Sequence, residues 1–143
     1  MTRDEILAME PGRELDALVA ERVMGKPKPT VIPRSDEKFL ETWDDWGGAW
    51  LARFKGDNEI GQYYALPFST NISKAWEVVE KIDAGSYRWR LASKHCRSGH
   101  VWWTATLDKY LGAVNGWKEM VYAPGDTAPE AICKAALLAV MEN

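Results

Sequence analysis

The residues best suited to binding chemistry are Arg88, Arg90, Trp102 and Thr104, with Arg97 and His100 close by in the chain. Arginine can grip a phosphate through two parallel N–H bonds and can also stack on a planar base. A tryptophan face supplies a second stacking platform that accepts any base. Cations, a hydroxyl and an indole brought together would therefore suit a nucleotide-like anion. The competing reading is a solvated sheet face whose arginines pair with a nearby Asp or Glu.

Other groupings point to chemistry less strongly. His95, Cys96 and His100 suggest a metal, but a structural zinc site wants four ligands and the second cysteine, Cys133, lies in a distant apolar segment. No metal site is expected. Cys96 follows His95, yet neighbours on an extended segment point to opposite sides and cannot readily share a proton. Asp36, Glu37, Glu41, Asp44 and Asp45 include enough carboxylates for an acid–base pair, but the polar side of an amphipathic segment explains them without chemistry. There is no phosphate-cradling glycine loop, Gly-x-Ser-x-Gly or His-Glu-x-x-His. No catalytic residue is assigned, no cofactor is expected, and an enzyme is the minority reading.

The elements that must position these residues follow from periodicity. Ser86 to Ser93 and Val101 to Leu107 alternate, and the stretch Lys94-His95-Cys96-Arg97-Ser98-Gly99-His100 between them makes a β-hairpin with a long loop. Alternation sends Tyr87, Trp89 and Leu91 to one face with Val101, Trp103, Ala105 and Leu107, which is the core face. Arg88 and Arg90 fall on the other face beside Trp102, Thr104 and Thr106. Trp117 to Ala123 reads as a third strand.

Helices flank this hairpin. Thr2-Arg3-Asp4-Glu5 is a capping box, and a second helix from about Gly12 to Met24 shows Arg13, Glu14, Asp16 and Glu21 to solvent before Gly25 ends it. Ser69-Thr70 supplies N-caps for a helix whose face is Ile72, Ala75, Trp76, Val79 and Ile82. Thr127-Ala128-Pro129-Glu130 opens a last helix so apolar that it must be buried. Between them, Lys26 to Pro33 holds three prolines and predicts an extended connector. Phe39, Trp43, Trp46, Trp50 and Phe54 follow at helical spacing, but Gly47-Gly48 would weaken a helix there by about 2 kcal/mol, so helix and strand stay open. Gln62 to Leu66 is better as a strand.

Composition sets the outer bounds. The 143 residues suit one domain able to bury roughly 70% of its unfolded surface. The net charge of -3 argues against general nucleic-acid binding. The longest apolar runs fall short of a membrane span, and the first ten residues lack the apolar stretch of a signal peptide, so a cytoplasmic location is expected. Two cysteines make no disulfide framework and both should be reduced. Eight tryptophans fit a Trp-rich core, and those of the 39–54 segment also fit an interface between copies, which predicts a homo-oligomer.

Three segments carry a family resemblance: Thr2 to Asp16 (TRDEILAMEPGRELD), Ser69 to Glu80 (STNISKAWEVVE) and Asp126 to Leu138 (DTAPEAICKAALL). Together the chain resembles the phage ABA-sandwich domain, a family of small phage and prophage proteins. The resemblance implies an α+β fold, an α-β-α sandwich in which helices pack on a small antiparallel sheet, as a single domain over 1–143. It departs from the family pattern over about 26–68, a long Trp-rich insertion. The matching residues are mostly caps and apolar faces, so architecture transfers and chemistry does not. Small phage proteins of this kind invite comparison with those that neutralise host defence. The resulting expectation is a non-enzymatic protein of the host cytoplasm that sequesters a small nucleotide-derived ligand. The alternatives are a protein–protein interaction module that inhibits a host factor and an enzyme acting on a nucleotide.

Overall fold

The computed structural model describes residues 1–25, 31–34, 37–40, 51–55, 58–63, 67–82 and 87–141, with the backbone alone over 31–63 and at Arg13. Helix α1, Arg3–Ala8, begins with the expected capping box: Thr2 Oγ1 accepts from Glu5 N at 3.2 Å and Glu5 Oε2 accepts from Thr2 N at 2.6 Å. Helix α2, Arg13–Leu18, continues as one wider turn, Val19–Val23, and stops at Gly25, whose φ of 74° suits glycine.

Asp16 departs from the sequence reading. It is buried and accepts from both Ser69 N and Ser69 Oγ at 2.7 Å, while Ser69 Oγ accepts from Gly12 N at 2.8 Å. Ser69 thus fastens the start of α2 to the segment before α3, Ile72–Ile82, and Asn71 caps that helix through Lys74 N at 3.1 Å. Burial pushes the Asp16 pKa up, against the lowering effect of Ser69. The same burial, with the Asp16 charge added, raises the Cys133 thiol well above its ordinary range.

Among the described residues there are two antiparallel sheets. Strands β1 Val31–Arg34, β2 Glu37–Leu40, β3 Leu51–Lys55 and β4 Asn58–Tyr63 pair in sequence order. The connector expected up to Pro33 therefore gives way to a strand from Val31. Pro33 is tolerated because β1 is an edge strand and its missing N–H need break no ladder bond. Phe39 and Phe54 lie on β2 and β3, whereas Trp43, Trp46 and Trp50 lie outside the described residues, as does Leu66.

The second sheet is β5 Tyr87–His95, β6 Val101–Tyr110 and β7 Trp117–Gly125, in that order. The hairpin register matches the alternation: Trp89 opposes Leu107, Arg90 opposes Thr106 and Lys94 opposes Trp102. Helix α4, Ala128–Met141, packs on β6 and β7 and also contacts α1, α2 and α3. Its residues Ala128 to Ala139 are all buried, as the apolar sequence requires.

Ile6, Leu15, Val19, Phe68, Val78, Leu107, Val121, Ile132, Leu137 and Leu138 meet in the core. Fully burying each such side chain contributes about 1.5–3 kcal/mol, which is what holds α4 against the sheet. The result is a small α+β sandwich. No helix among the described residues is long and apolar enough to cross a membrane.

Candidate functional site

β6 presents two constellations on one face. At its C-terminal end, Asp108 has a side chain only 3% exposed and collects both arginines. Arg88 donates from Nε at 3.2 Å and Nη2 at 3.0 Å to Oδ2, and Arg90 donates from Nε to Oδ2 at 2.7 Å and from Nη2 to Oδ1 at 2.9 Å. The Arg90 bonds, then those of Arg88, hold the Asp108 carboxyl below its usual range, and Arg90 is raised in return. Arg90 Nη2 also approaches Glu119 Oε1 at 3.6 Å. Arg88 lies 4.7 Å from the Trp117 ring centroid, and Trp117 packs on Tyr110 at 5.2 Å.

A bulge makes this cluster possible. The β6–β7 register slips between Leu107, which opposes Val121, and Asp108, which opposes Glu119. Met120 is the extra residue and packs against the core beside Val121. Without the slip, strict alternation from buried Val121 would turn Glu119 toward α4.

At the N-terminal end of β6, His100 stacks on Trp102 with ring centroids 5.7 Å apart and planes 18° off parallel. The loop before them is closed by Gly99 N to Cys96 O and Cys96 N to His100 O, each 3.0 Å, with Gly99 at φ 86°. Both rings line a cavity of about 430 Å³ that also includes Leu7, Pro124, Gly125, Asp126, Glu130 and Lys134. That volume is in the range of small-molecule sites. Lys134 and Glu130 are paired at 2.8 Å with both side chains under a tenth exposed; Lys134 Nζ also donates to Leu7 O at 3.0 Å, and Glu130 Oε2 accepts from Asp126 N at 2.6 Å. Glu130 therefore serves the turn before α4, and its own N–H donates to Thr127 Oγ1 at 3.4 Å.

Gly125 is what lets β7 run so close to α4. A Cβ placed there would lie 2.7 Å from the Ala131 backbone nitrogen.

A sequence model of the phage ABA sandwich domain matches residues 17–137. The chain belongs to that family. Comparisons with curated proteins and with solved structures find no match. Family membership makes this a phage protein with the ABA sandwich architecture.

Within this ABA sandwich, the sequence-derived residues separate into two groups. Arg88 and Arg90 stand together on Asp108, and His100 and Trp102 stand together at the cavity. Thr106 opposes Arg90 and lies four positions after Trp102, so the two groups are about 13 Å apart along β6. Thr104 lies between them and is buried, flanked in register by Ala92 and Pro124. Arg97 is exposed on the loop and is not among the cavity-lining residues.

Sequence reasoning missed Asp108, Trp117 and Glu119 at one end and Asp126, Glu130 and Lys134 at the other. Asp108 was within reach of it, since positions 102, 104, 106 and 108 continue one alternation. Cys96 is exposed, as a loop residue should be, and its Sγ lies 2.8 Å from Ser98 Oγ, which pulls the thiol below its usual range.

Proposed function

We propose that this phage protein is a non-enzymatic accessory protein that binds and sequesters a small nucleotide-derived ligand, a host antiviral signal in the host cytoplasm. The observation that carries the reading is the stacked His100–Trp102 pair at the wall of the 430 Å³ cavity. A flat heterocycle gains about 1–3 kcal/mol on an aromatic platform of this kind. Lys94, opposite Trp102 in register, and Arg97 on the adjoining loop are both exposed and supply positive charge for a phosphate at the rim. The buried ionisable side chains that line the cavity, Glu130 and Lys134, are bonded to each other and to backbone, which suits a wall that binds more than one that exchanges protons.

A second reading is favoured by the opposite end of the sheet. Val114 at the β6–β7 turn is 96% exposed, and Leu111, Tyr110 and Trp117 beside it are exposed too, as expected of a module that docks on a host protein. Self-association belongs to the first reading, since a small domain can complete a pocket between copies. Sedimentation with and without nucleotide measures it.

Titration of tryptophan fluorescence with mono- and cyclic nucleotides, followed by heat denaturation and chromatography of what is released, tests the reading. A sequestering protein quenches on binding and returns the ligand unchanged. Release of product would make it an enzyme, and absence of binding across the panel would favour the interaction module.

A further inference from the structure

The cavity at Trp102 has an uneven supply of hydrogen-bonding capacity, and that unevenness selects among bases. An ammonium carries three N–H bonds, and in Lys134 two of them go to Leu7 O and Glu130 Oε1. The side chain is only 4% exposed and lines the cavity, and its ammonium has no third acceptor among the described residues. Asp126 lines the same cavity, is exposed, and uses its backbone N–H on Glu130 while its carboxylate accepts no bond among the described residues. An ionised carboxylate has two parallel acceptor oxygens and no donor.

Resting on the reading of this cavity as a base-stacking site, we propose that it recognises guanine-type ligands. The Asp126 carboxylate accepts the adjacent N1–H and N2–H of the base, the free Lys134 N–H donates to the O6 carbonyl, and the ring lies on Trp102 and His100. Guanine alone among the common bases presents a carbonyl next to two parallel donors on one edge. Adenine offers one amino group beside a bare ring nitrogen, so one Asp126 oxygen would face a lone pair. A site built to meet polar groups discriminates strongly against a ligand that leaves them unpaired.

The test compares guanosine, adenosine and xanthosine 5′-monophosphates by calorimetry on the full-length protein and on Asp126→Asn, with Trp102→Ala as the stacking control. Guanosine monophosphate should bind the natural protein at least ten-fold tighter than the adenosine compound. Asp126→Asn, whose amide offers a donor in place of one oxygen, should lose that preference and bind xanthosine monophosphate better than guanosine monophosphate. A role for Asp126 in folding alone would not move the preference to xanthine. Equal guanosine and adenosine affinities, both lost in Trp102→Ala, would overturn the guanine assignment and leave the stacking site standing. Failure of all three to bind, and of cyclic dinucleotides carrying either purine, would overturn both.

Discussion

The two ends of β6 hold similar residue types and differ in what those residues have left to offer. At Asp108, two guanidiniums, a buried carboxylate, Glu119 and the Trp117 face satisfy one another, so the cluster has become part of the sheet's construction. At Trp102, a ring pair, one ammonium N–H and one carboxylate stand at a cavity with unused capacity. A site is therefore marked less by the presence of arginine and tryptophan than by groups whose partners are incomplete.

The sharpest way to break this comparison is Asp108→Ala. It leaves Arg88 and Arg90 side by side without their shared acceptor, and hydrogen bonds to charged groups are worth about 1.5–3 kcal/mol. The midpoint of urea unfolding should fall by a corresponding amount at unchanged slope. Nucleotide affinity of the folded variant should match the parent. A folded Asp108→Ala protein that has lost its ligand would place the arginine end inside the site.

The same contrast explains what could be read in advance. Caps and periodicity placed α1, α2, α4 and the β5–β6 hairpin, because local hydrogen bonding and one buried face dictate them. Periodicity placed α3 too, but its cap is Asn71 and not Ser69 or Thr70. Of its expected face, Ile72 and Trp76 are exposed, while Ala75, Val78 and Val79 are buried. These signals also assigned Arg88, Arg90 and Trp102 to one face correctly. They could not show that Glu119 joins that face, because a bulge obeys no alternation. Nor could they show that Leu7 and Lys134, 127 positions apart, meet at one hydrogen bond. Asp16 misled for a related reason: its place on the polar side of α2 was visible, but its partner Ser69 is 53 positions away.

Next in size is Gly125→Ala, which attacks the other end. The added methyl would meet the Ala131 backbone nitrogen at 2.7 Å, and backbone cannot yield as a flexible side chain does. Overpacking of this kind costs about 1–3 kcal/mol. Because Gly125 lines the cavity, thermal stability and nucleotide affinity should fall together, in contrast to the separation expected at Asp108. Affinity unchanged in a destabilised variant would show that the cavity wall is not where the ligand sits.

Trp102→Ala sharpens the comparison without removing a core side chain, since the ring lines the cavity and is not one of the residues that meet in the core. Loss of stacking should weaken nucleotide binding by about 1–3 kcal/mol. Unfolding curves should stay close to those of the parent. Unfolding of the variant in place of selective loss of ligand would make Trp102 a structural residue like Arg88 and Arg90.

The smallest expected effect is on acid stability, and two carboxylates push it in opposite directions. Asp108 has its folded pKa lowered by Arg90 and Arg88, so its contribution is complete above the unfolded value of about 3.9 and is lost as pH falls through the folded value. Asp16 has its folded pKa raised by burial, so its ionised form costs stability at neutral pH, and that cost is relieved as pH falls through the raised value toward the unfolded one. On acidification the Asp16 relief comes first and the Asp108 loss follows at lower pH. Asp16→Asn should therefore flatten the upper part of the stability profile, keeping an oxygen to accept from Ser69. Asp108→Asn should flatten the lower part. Urea midpoints measured between pH 3 and 7 resolve the two, and an Asp108→Asn profile parallel to the parent's below about pH 4 would show that the arginine end contributes no proton-linked stability.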